Sequence, residues 1–280
     1  MSENDGLEET RSDVAPRTRG LVSRPSPAGV TSSTHPPRPE LADVVETLWV
    51  GRWKLSGQPS HTTELLGDPS VHFVFEGGAQ RGSRVVGVWT RVWRRTLEGD
   101  GFVRGVKLRP GGFRAFACTP AIQLSCQIAP LNSVFAEVAG ELEAAILGPV
   151  EDGPALEHLQ TWLLAQRRSE ELRQVHLAIA LVERIVQDPA MTSVDQLASA
   201  AGMGPRALQS LFREHVGASP KWVIRRNRLQ EVAKRLERGE AANLADLAAE
   251  LGYADQAHMA RDFKTAVGTS PSSFVRSLRA

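Results

Sequence analysis

The sequence is short of most features that mark specialised protein classes. Its 280 residues hold two cysteines, Cys118 and Cys126, too few for a disulfide framework or a cysteine-only zinc site. Nowhere do roughly 18 uncharged apolar residues run together, the length a membrane span needs. Met1 to Glu9 is acidic and polar, unlike a secretory signal, so a cytoplasmic protein with no membrane partner is expected. The net charge is only +1, and the overall balance gives no pull towards nucleic acid. No phosphate-binding glycine loop, serine-nucleophile elbow or zinc-protease helix occurs. Catalytic residues, cofactors and a metal are therefore not expected.

What is present falls into three stretches. Residues 1–39 carry Pro16, Pro25, Pro27, Pro36, Pro37 and Pro39, many Ser and Thr, and almost no large apolar side chains. Such a tail cannot bury enough surface to offset its ordering entropy and is expected to be disordered. Residues 40–168 read as β-rich with a helical end. Apolar residues alternate through Val71–Phe75, then through Val85–Trp93, and a third run spans Phe102–Leu108. Gly77, Gly78, Gly82, Gly99, Gly101, Gly111 and Gly112 punctuate these runs as turns. The pattern predicts an α+β domain built on a small antiparallel sheet or barrel. The period then lengthens. Leu131, Val134, Phe135, Val138, Leu142 and Ile146 fit one helix over Leu131–Leu147, and Pro154–Arg168 a second. These helices pack on the sheet or on a second copy of the chain, so a homodimer stays open.

The third stretch, 171–280, is all-helical and repeats itself. Leu197, Ala198 and Gly202 recur 50 residues later as Leu247, Ala248 and Gly252. Leu208, Phe212 and Gly217 recur 51 residues later as Met259, Phe263 and Gly268, so the second turn is one residue longer. Each glycine can take a left-handed conformation and turn the chain sharply between two short helices. Ser193 with Gln196 has capping-box spacing. Asn243, Asp255, Ser219 before Pro220, and Ser270 before Pro271 also fit helix starts. Two helices joined by so tight a turn meet steeply, which pushes the second outward, as in DNA-binding helix-turn-helix units. Charge agrees locally: residues 204–238 hold nine basic to three acidic side chains, a phosphate-facing balance on an otherwise near-neutral chain.

These residues resemble the DNA-binding half of the AraC/XylS regulators. The resemblance covers about 110 residues and rests on LQSLFR (Leu208 to Arg213), VGASPK (Val216 to Lys221), IRRNRL (Ile224 to Leu229), LAAELGY (Leu247 to Tyr253), RDFK (Arg261 to Lys264) and VGTSP (Val267 to Pro271). It departs at Met259 and Ala260, where the family often carries an aromatic or leucine followed by serine or threonine. The resemblance implies a transcription regulator with double-stranded DNA as partner. RNA polymerase and an unidentified small-molecule effector are further candidate partners.

With Leu208, Leu211 and Phe212 turned inward, Arg206, Gln209, Ser210 and Arg213 face out of the first recognition helix, Pro205–Val216. The resemblance places Arg206, Gln209 and Ser210 at base-contact positions. Arg suits guanine and Gln suits adenine. It likewise places Gln256, His258 and Arg261 as readers on the second helix, Asp255–Val267. Arg213, Lys221, Arg225, Arg226 and Lys264 are the candidate phosphate contacts, while Arg228 is assigned to locking the bridging helix, Lys221–Arg238, to one of the units.

The front domain, with GVKLRPGG (Gly105 to Gly112) and VHFVF (Val71 to Phe75), looks like a small β-domain of uncharacterised function that precedes such DNA-binding halves. It fits the sugar-binding cupin barrel less well, because His61 and His72 lack a His-x-His partner set. Trp49, Trp53, Trp89, Trp93 and Phe113 are candidates for an apolar ligand pocket or for core packing. Arg109 suits either an anionic ligand or a turn carbonyl. The rival to a regulator is a DNA-binding module attached to an enzyme, such as an alkyl-transfer repair protein, but neither cysteine sits in a recognisable active-site motif.

Overall fold

The computed structural model describes residues 29–65, 67–78, 81–135, 139–240 and 243–278. The front domain is an antiparallel sheet with helices against one face. Its strands are β1 (Val30–His35), β2 (Val45–Lys54), β3 (His61–Leu65), β4 (His72–Gly78), β5 (Gly82–Val86), β6 (Trp93–Leu97), β7 (Asp100–Leu108) and β8 (Ile128–Pro130). Six of them form one sheet in the order β1-β2-β7-β4-β5-β8, and β3 pairs with β6 in a separate ribbon.

Two strand expectations are corrected. Residues 30–35 lie within the tail expected to be disordered, yet they form an edge strand, with Val30 opposite Trp53 and His35 opposite Leu48. Pairing with β2 supplies the hydrogen bonds, so a run of Ser and Thr needs no core of its own to stay extended. The remainder of that expected tail, 1–28, lies outside the described residues. The run Val85–Trp93 is not one strand either. It breaks after Val86, where Gly87 donates its N–H to the Gln127 carbonyl (3.0 Å) and Trp89 donates to the Asp68 carbonyl (3.3 Å).

Strand alternation sorts side chains between the two faces. Leu48, Phe73, Phe75, Val106 and Leu108 face the large core, while Trp53, Val74, Leu97 and Val103 form a smaller cluster elsewhere on the sheet. On the core side the Phe73 ring meets Phe113, Phe116, Phe135 and Trp162 edge-on at 6.2, 6.2, 5.3 and 5.9 Å. Trp162 comes from helix α2 (Asp152–Gln166) and the other three rings from connecting turns, while helix α1 (Ala139–Leu147) adds Leu142 and Ile146 to the same core. The predicted helix over Leu131–Leu147 is shorter than its spacing suggests. A single tight turn occupies Leu131–Ser133, and 136–138 lie outside the described residues. Leu131, Phe135, Leu142 and Ile146 are buried against this same core. Most of the described part of that apolar stripe is therefore covered within the chain.

One charge is built into this core. Arg104 is 1% exposed. Its guanidinium donates to the carbonyls of Ile146 (2.6 Å) and Pro149 (3.0 Å) and to Asp152 Oδ1 (2.9 Å). It thereby closes the carbonyl end of α1 and anchors the start of α2, since the last carbonyls of a helix have no partner within it. The bonds from Arg104 and Arg52 hold the Asp152 carboxyl below its usual value, against the opposing effect of burial.

Of the aromatic residues offered for a pocket or for core packing, Phe113, Trp53 and Trp49 take part in packing. Phe113 belongs to the large core and Trp53 to the small cluster, while Trp49 lies edge-on to His72 at 6.2 Å. Arg109 serves structure: it donates to the Ala42 carbonyl (2.8 Å) and to Glu183 (2.7 Å). Neither cysteine is a buried core thiol, Cys118 being exposed and Cys126 partly so.

Two outcomes follow from these buried charges. Arg104→Ala should lower the unfolding free energy by about 2–4 kcal/mol in a urea titration, because carbonyls and a carboxylate lose their buried donor. The second concerns acid. Burial, with the Lys107 ammonium, pulls the His72 imidazole down to about 4, against Asp68. The unfolded chain takes up that proton near 6.5 and the folded chain does not, so stability falls as pH drops from about 6.5 to 4. His215, also lowered by burial and by Arg114, adds to the slope. His72→Gln should flatten it in thermal unfolding measured across that range.

Candidate nucleic-acid interface

Helix α3 (Leu172–Gln187) leads into two helix pairs: α4 (Val194–Ala200) with α5 (Pro205–Leu211), and α7 (Leu244–Glu250) with α8 (Gln256–Val267). The long helix α6 (Pro220–Glu237) joins them, and α9 (Pro271–Leu278) closes the second. The helix starts use the residues their sequence suggests. Ser193 and Gln196 form a reciprocal capping box, with bonds of 3.2 and 3.0 Å. Asn243 accepts from the Ala245 N–H (2.8 Å) and Asp255 from the His258 N–H (2.6 Å). Ser219 and Ser270 accept from Trp222 and Ser273, each at 3.2 Å. The turns pass through Gly202 at φ +60° and Gly252 at φ +69°, the left-handed region that side chains disfavour.

Each second helix divides cleanly into two faces. On α5, Leu208 and Leu211 are buried while Arg206, Gln209 and Ser210 are exposed, and Arg213 is exposed in the wider turn that ends the helix, Phe212–Val216. On α8, Met259, Phe263 and Val267 are buried, and Gln256, His258, Arg261 and Lys264 are exposed. The His258 ring stands edge-on to Tyr253 at 5.3 Å, which limits how it can turn.

The phosphate candidates divide. Lys221 is exposed at the start of α6. Arg225 is committed to Asp262 of α8 through two bonds, 3.0 and 2.9 Å. Arg226 is turned away from any outer surface of this unit, with its guanidinium on the Gly67 carbonyl of the front domain and on Gln230 (2.8 Å). That side chain is a joint between domains in this structure, a use that an Arg-rich helix read alone does not reveal. Arg228 stacks 3.8 Å over the Tyr253 ring and so ties α6 to the second unit. Burial pushes the Tyr253 phenol up to about 12, against the neighbouring Arg228.

A cleft of about 660 Å³ opens between the two units. Its walls include Ser193, Lys221, Arg225, Arg228, His258 and Asp262. It therefore brings the capped start of α4, the start of α6 and the start of α8 to one place. Helix starts carry partial positive charge and free N–H groups, and most of the charged side chains here are basic.

The packing boundary does not follow the helical boundary at 171. Apolar residues of α3, α4, α5 and the start of α6, among them Val175, Leu197, Leu208, Phe212 and Ile224, lie in the same continuous core as the sheet. The second unit has its own core, built from Leu229, Val232, Leu247, Met259, Phe263 and Phe274 among others.

Two capped helix pairs, each bent at a left-handed glycine and each showing a polar second helix to solvent, define a double helix-turn-helix protein. Residues 197–277 match the family model described as a helix-turn-helix domain. Residues 33–130 match one described as a domain of unknown function (DUF6597). An uncharacterized HTH-type transcriptional regulator of Haemophilus influenzae is 31% identical over 120 residues, covering 43% of this chain and 40% of the relative. The XylDLEGF operon transcriptional activator of Pseudomonas putida is 31% identical over 86 residues, covering 30% of this chain and 27% of the relative. The chain thus spans less than half the length of these curated relatives. The solved structure of a probable AraC family transcriptional regulator from Rhodopseudomonas palustris is 24% identical, with a TM-score of 0.32 over 40% of this chain and 100% of that one. Residues 197–277 are a helix-turn-helix domain, similar over that stretch to these transcriptional regulators.

The two turn glycines should respond differently to alanine. A Cβ on Gly202 meets nothing within 4 Å, whereas one on Gly252 meets the Thr192 methyl at 2.8 Å. Gly202→Ala should cost about 1 kcal/mol from backbone conformation alone. Gly252→Ala should cost about 1–2 kcal/mol more, because Thr192 must shift. Chemical denaturation of the two variants side by side checks the order.

Proposed function

We propose that the chain is a sequence-specific DNA-binding transcription regulator acting in the cytoplasm, with the front domain relaying a small-molecule signal. The observation that carries this reading is the matched exposure of Arg206, Gln209 and Ser210 on α5 and of Gln256, His258 and Arg261 on α8, each above a buried apolar row. Side chains of these types can read base edges: Arg pairs bidentately with guanine, and Gln with adenine. On this reading the two helices enter successive major-groove segments about ten base pairs apart. One phosphodiester strand between those segments passes the cleft at Lys221. Arg213, Lys221 and Lys264 set position and affinity rather than sequence preference. Arg225 joins them only by exchanging Asp262 for a phosphate, and Arg226 is reserved for the domain joint. The chain is then a regulator rather than an enzyme.

Selection of bound sequences from a randomised DNA library tests it. The full chain should return a motif with two half-contacts. Arg206→Ala should flatten one position of that motif and cost about 1–3 kcal/mol in affinity. Lys264→Ala should weaken all sites alike and reduce the salt dependence. An unstructured motif would overturn the reading.

A further inference from the structure

A groove of about 190 Å³ opens beside the second recognition helix. Helix α6 lines it with Trp222 and Arg225, the end of α8 with Thr265, and the front domain with Thr90 and Arg91. Two features join this groove to the surface that carries the candidate base readers. Arg225 lines both the groove and the cleft between the two units, so the two openings adjoin. Thr265 is exposed and donates its hydroxyl to the Arg261 carbonyl, one turn back (2.8 Å). Arg261 and Thr265 follow His258 by three and seven residues, so all three share the outward stripe of α8. The groove therefore begins where that stripe ends.

Arg91 is the front domain's charged side chain in this groove. It is exposed, and among the described residues its bonding partner is the Cys126 thiol rather than a carboxylate. Arg225 beside it is already neutralised by Asp262 at 2.9 Å. The segment leading into Arg91 is held firmly. The Thr90 carbonyl accepts the Trp222 indole N–H from α6 (3.2 Å). The Thr90 hydroxyl lies 3.3 Å from the Cys126 sulfur, and the Val88 carbonyl accepts the Cys126 N–H (2.7 Å). The backbone that carries Arg91 is thus fixed to the same helix that spaces the two recognition helices. From His258 to Thr265 the helix rises about 10 Å, and the major groove is about 12 Å wide. A DNA strand bordering a groove read by His258 and Arg261 therefore runs past the last turns of α8, where Arg91 stands.

We propose that Arg91 is a DNA-backbone contact supplied by the front domain, donating to a phosphate beside the second recognition helix. The inference rests on the regulator reading and extends its interface beyond the two helix pairs. A guanidinium makes paired, charge-assisted bonds to phosphate oxygens, against which a thiol is a weak acceptor. Such a contact adds affinity without sequence preference. It also makes the front domain part of the bound state: displacing that domain against α6 withdraws a phosphate contact and weakens the complex directly.

Fluorescence anisotropy on the full chain with its selected duplex, repeated across salt concentrations, tests the contact. Losing one phosphate contact should lower the slope of log affinity against log salt by about 0.9. Arg91→Gln should show that loss and return the wild-type motif from the library. Its affinity deficit should shrink about threefold between about 50 and 200 mM salt. Arg91→Lys keeps the charge and should retain most of the slope. Arg81→Gln is the matched control, removing the same charge from an exposed arginine that pairs with Glu143 of α1 (3.6 Å). Hydroxyl-radical footprints of Arg91→Gln should lose protection on one strand beside the second half-contact and nowhere else. The proposal is overturned if Arg91→Gln keeps the wild-type slope and footprint, or if Arg81→Gln lowers affinity and slope as much. Should the full chain select no motif, the regulator reading falls by itself. The same salt series on a random duplex then decides the contact: a lower slope in Arg91→Gln upholds it, and an equal slope overturns it.

Discussion

Three consecutive side chains on one helix hold the molecule together. Arg225 reaches Asp262 on the second recognition helix, Arg226 reaches the Gly67 carbonyl of the front domain, and Asn227 donates to the Ile185 carbonyl at the end of α3 (2.7 Å). Successive residues on a helix point about 100° apart, so three neighbours in sequence serve three different bodies in space. Any shift or rotation of α6 must lengthen at least one of these bonds. The separation of the two recognition helices is therefore tied to the position of the front domain through one rigid element.

The same arrangement explains the modest overall charge. The basic stretch of α6 is divided between tasks. Part of it faces the cleft between the units, part neutralises Asp262, part stacks on Tyr253, and Arg226 offsets Asp68 inside the junction. A count of Lys and Arg along this helix overstates the charge available to a polyanion. Along α6 and its end Lys221 and Arg238 stay exposed, and Arg206, Arg213, Arg261 and Lys264 are exposed on or beside α5 and α8.

Local signals were legible and distant ones were not. The capping box at Ser193, the caps at Asn243 and Asp255, and the left-handed glycines at 202 and 252 each depend on a few adjacent residues, so the helix pairs could be read from spacing alone. The outward positions on α5 and α8 followed from the same period. The edge strand at Val30–His35 was missed because its stability comes from β2, whose partners lie between Leu48 and Trp53. The break after Val86 was missed because alternation continues through Trp93 while the backbone bonds turn to Gln127 and Asp68. Nothing in an arginine's own neighbourhood says that Arg104 will be buried beneath α1 or that Arg226 will meet Gly67. Both depend on surfaces 42 and 159 residues away.

The core shared by the sheet and the first helix pair bears on how such a protein could be recombined. A chimera cut at residue 170 would carry Val175, Ala178, Leu208 and Phe212 away from the sheet-side partners they share a core with, leaving a sticky flank on the transplanted piece. The natural seam lies further along, within α6, where the first core ends at Ile224 and the second begins at Leu229. Exchange at that seam would swap the second helix pair while leaving the first welded to its own front domain.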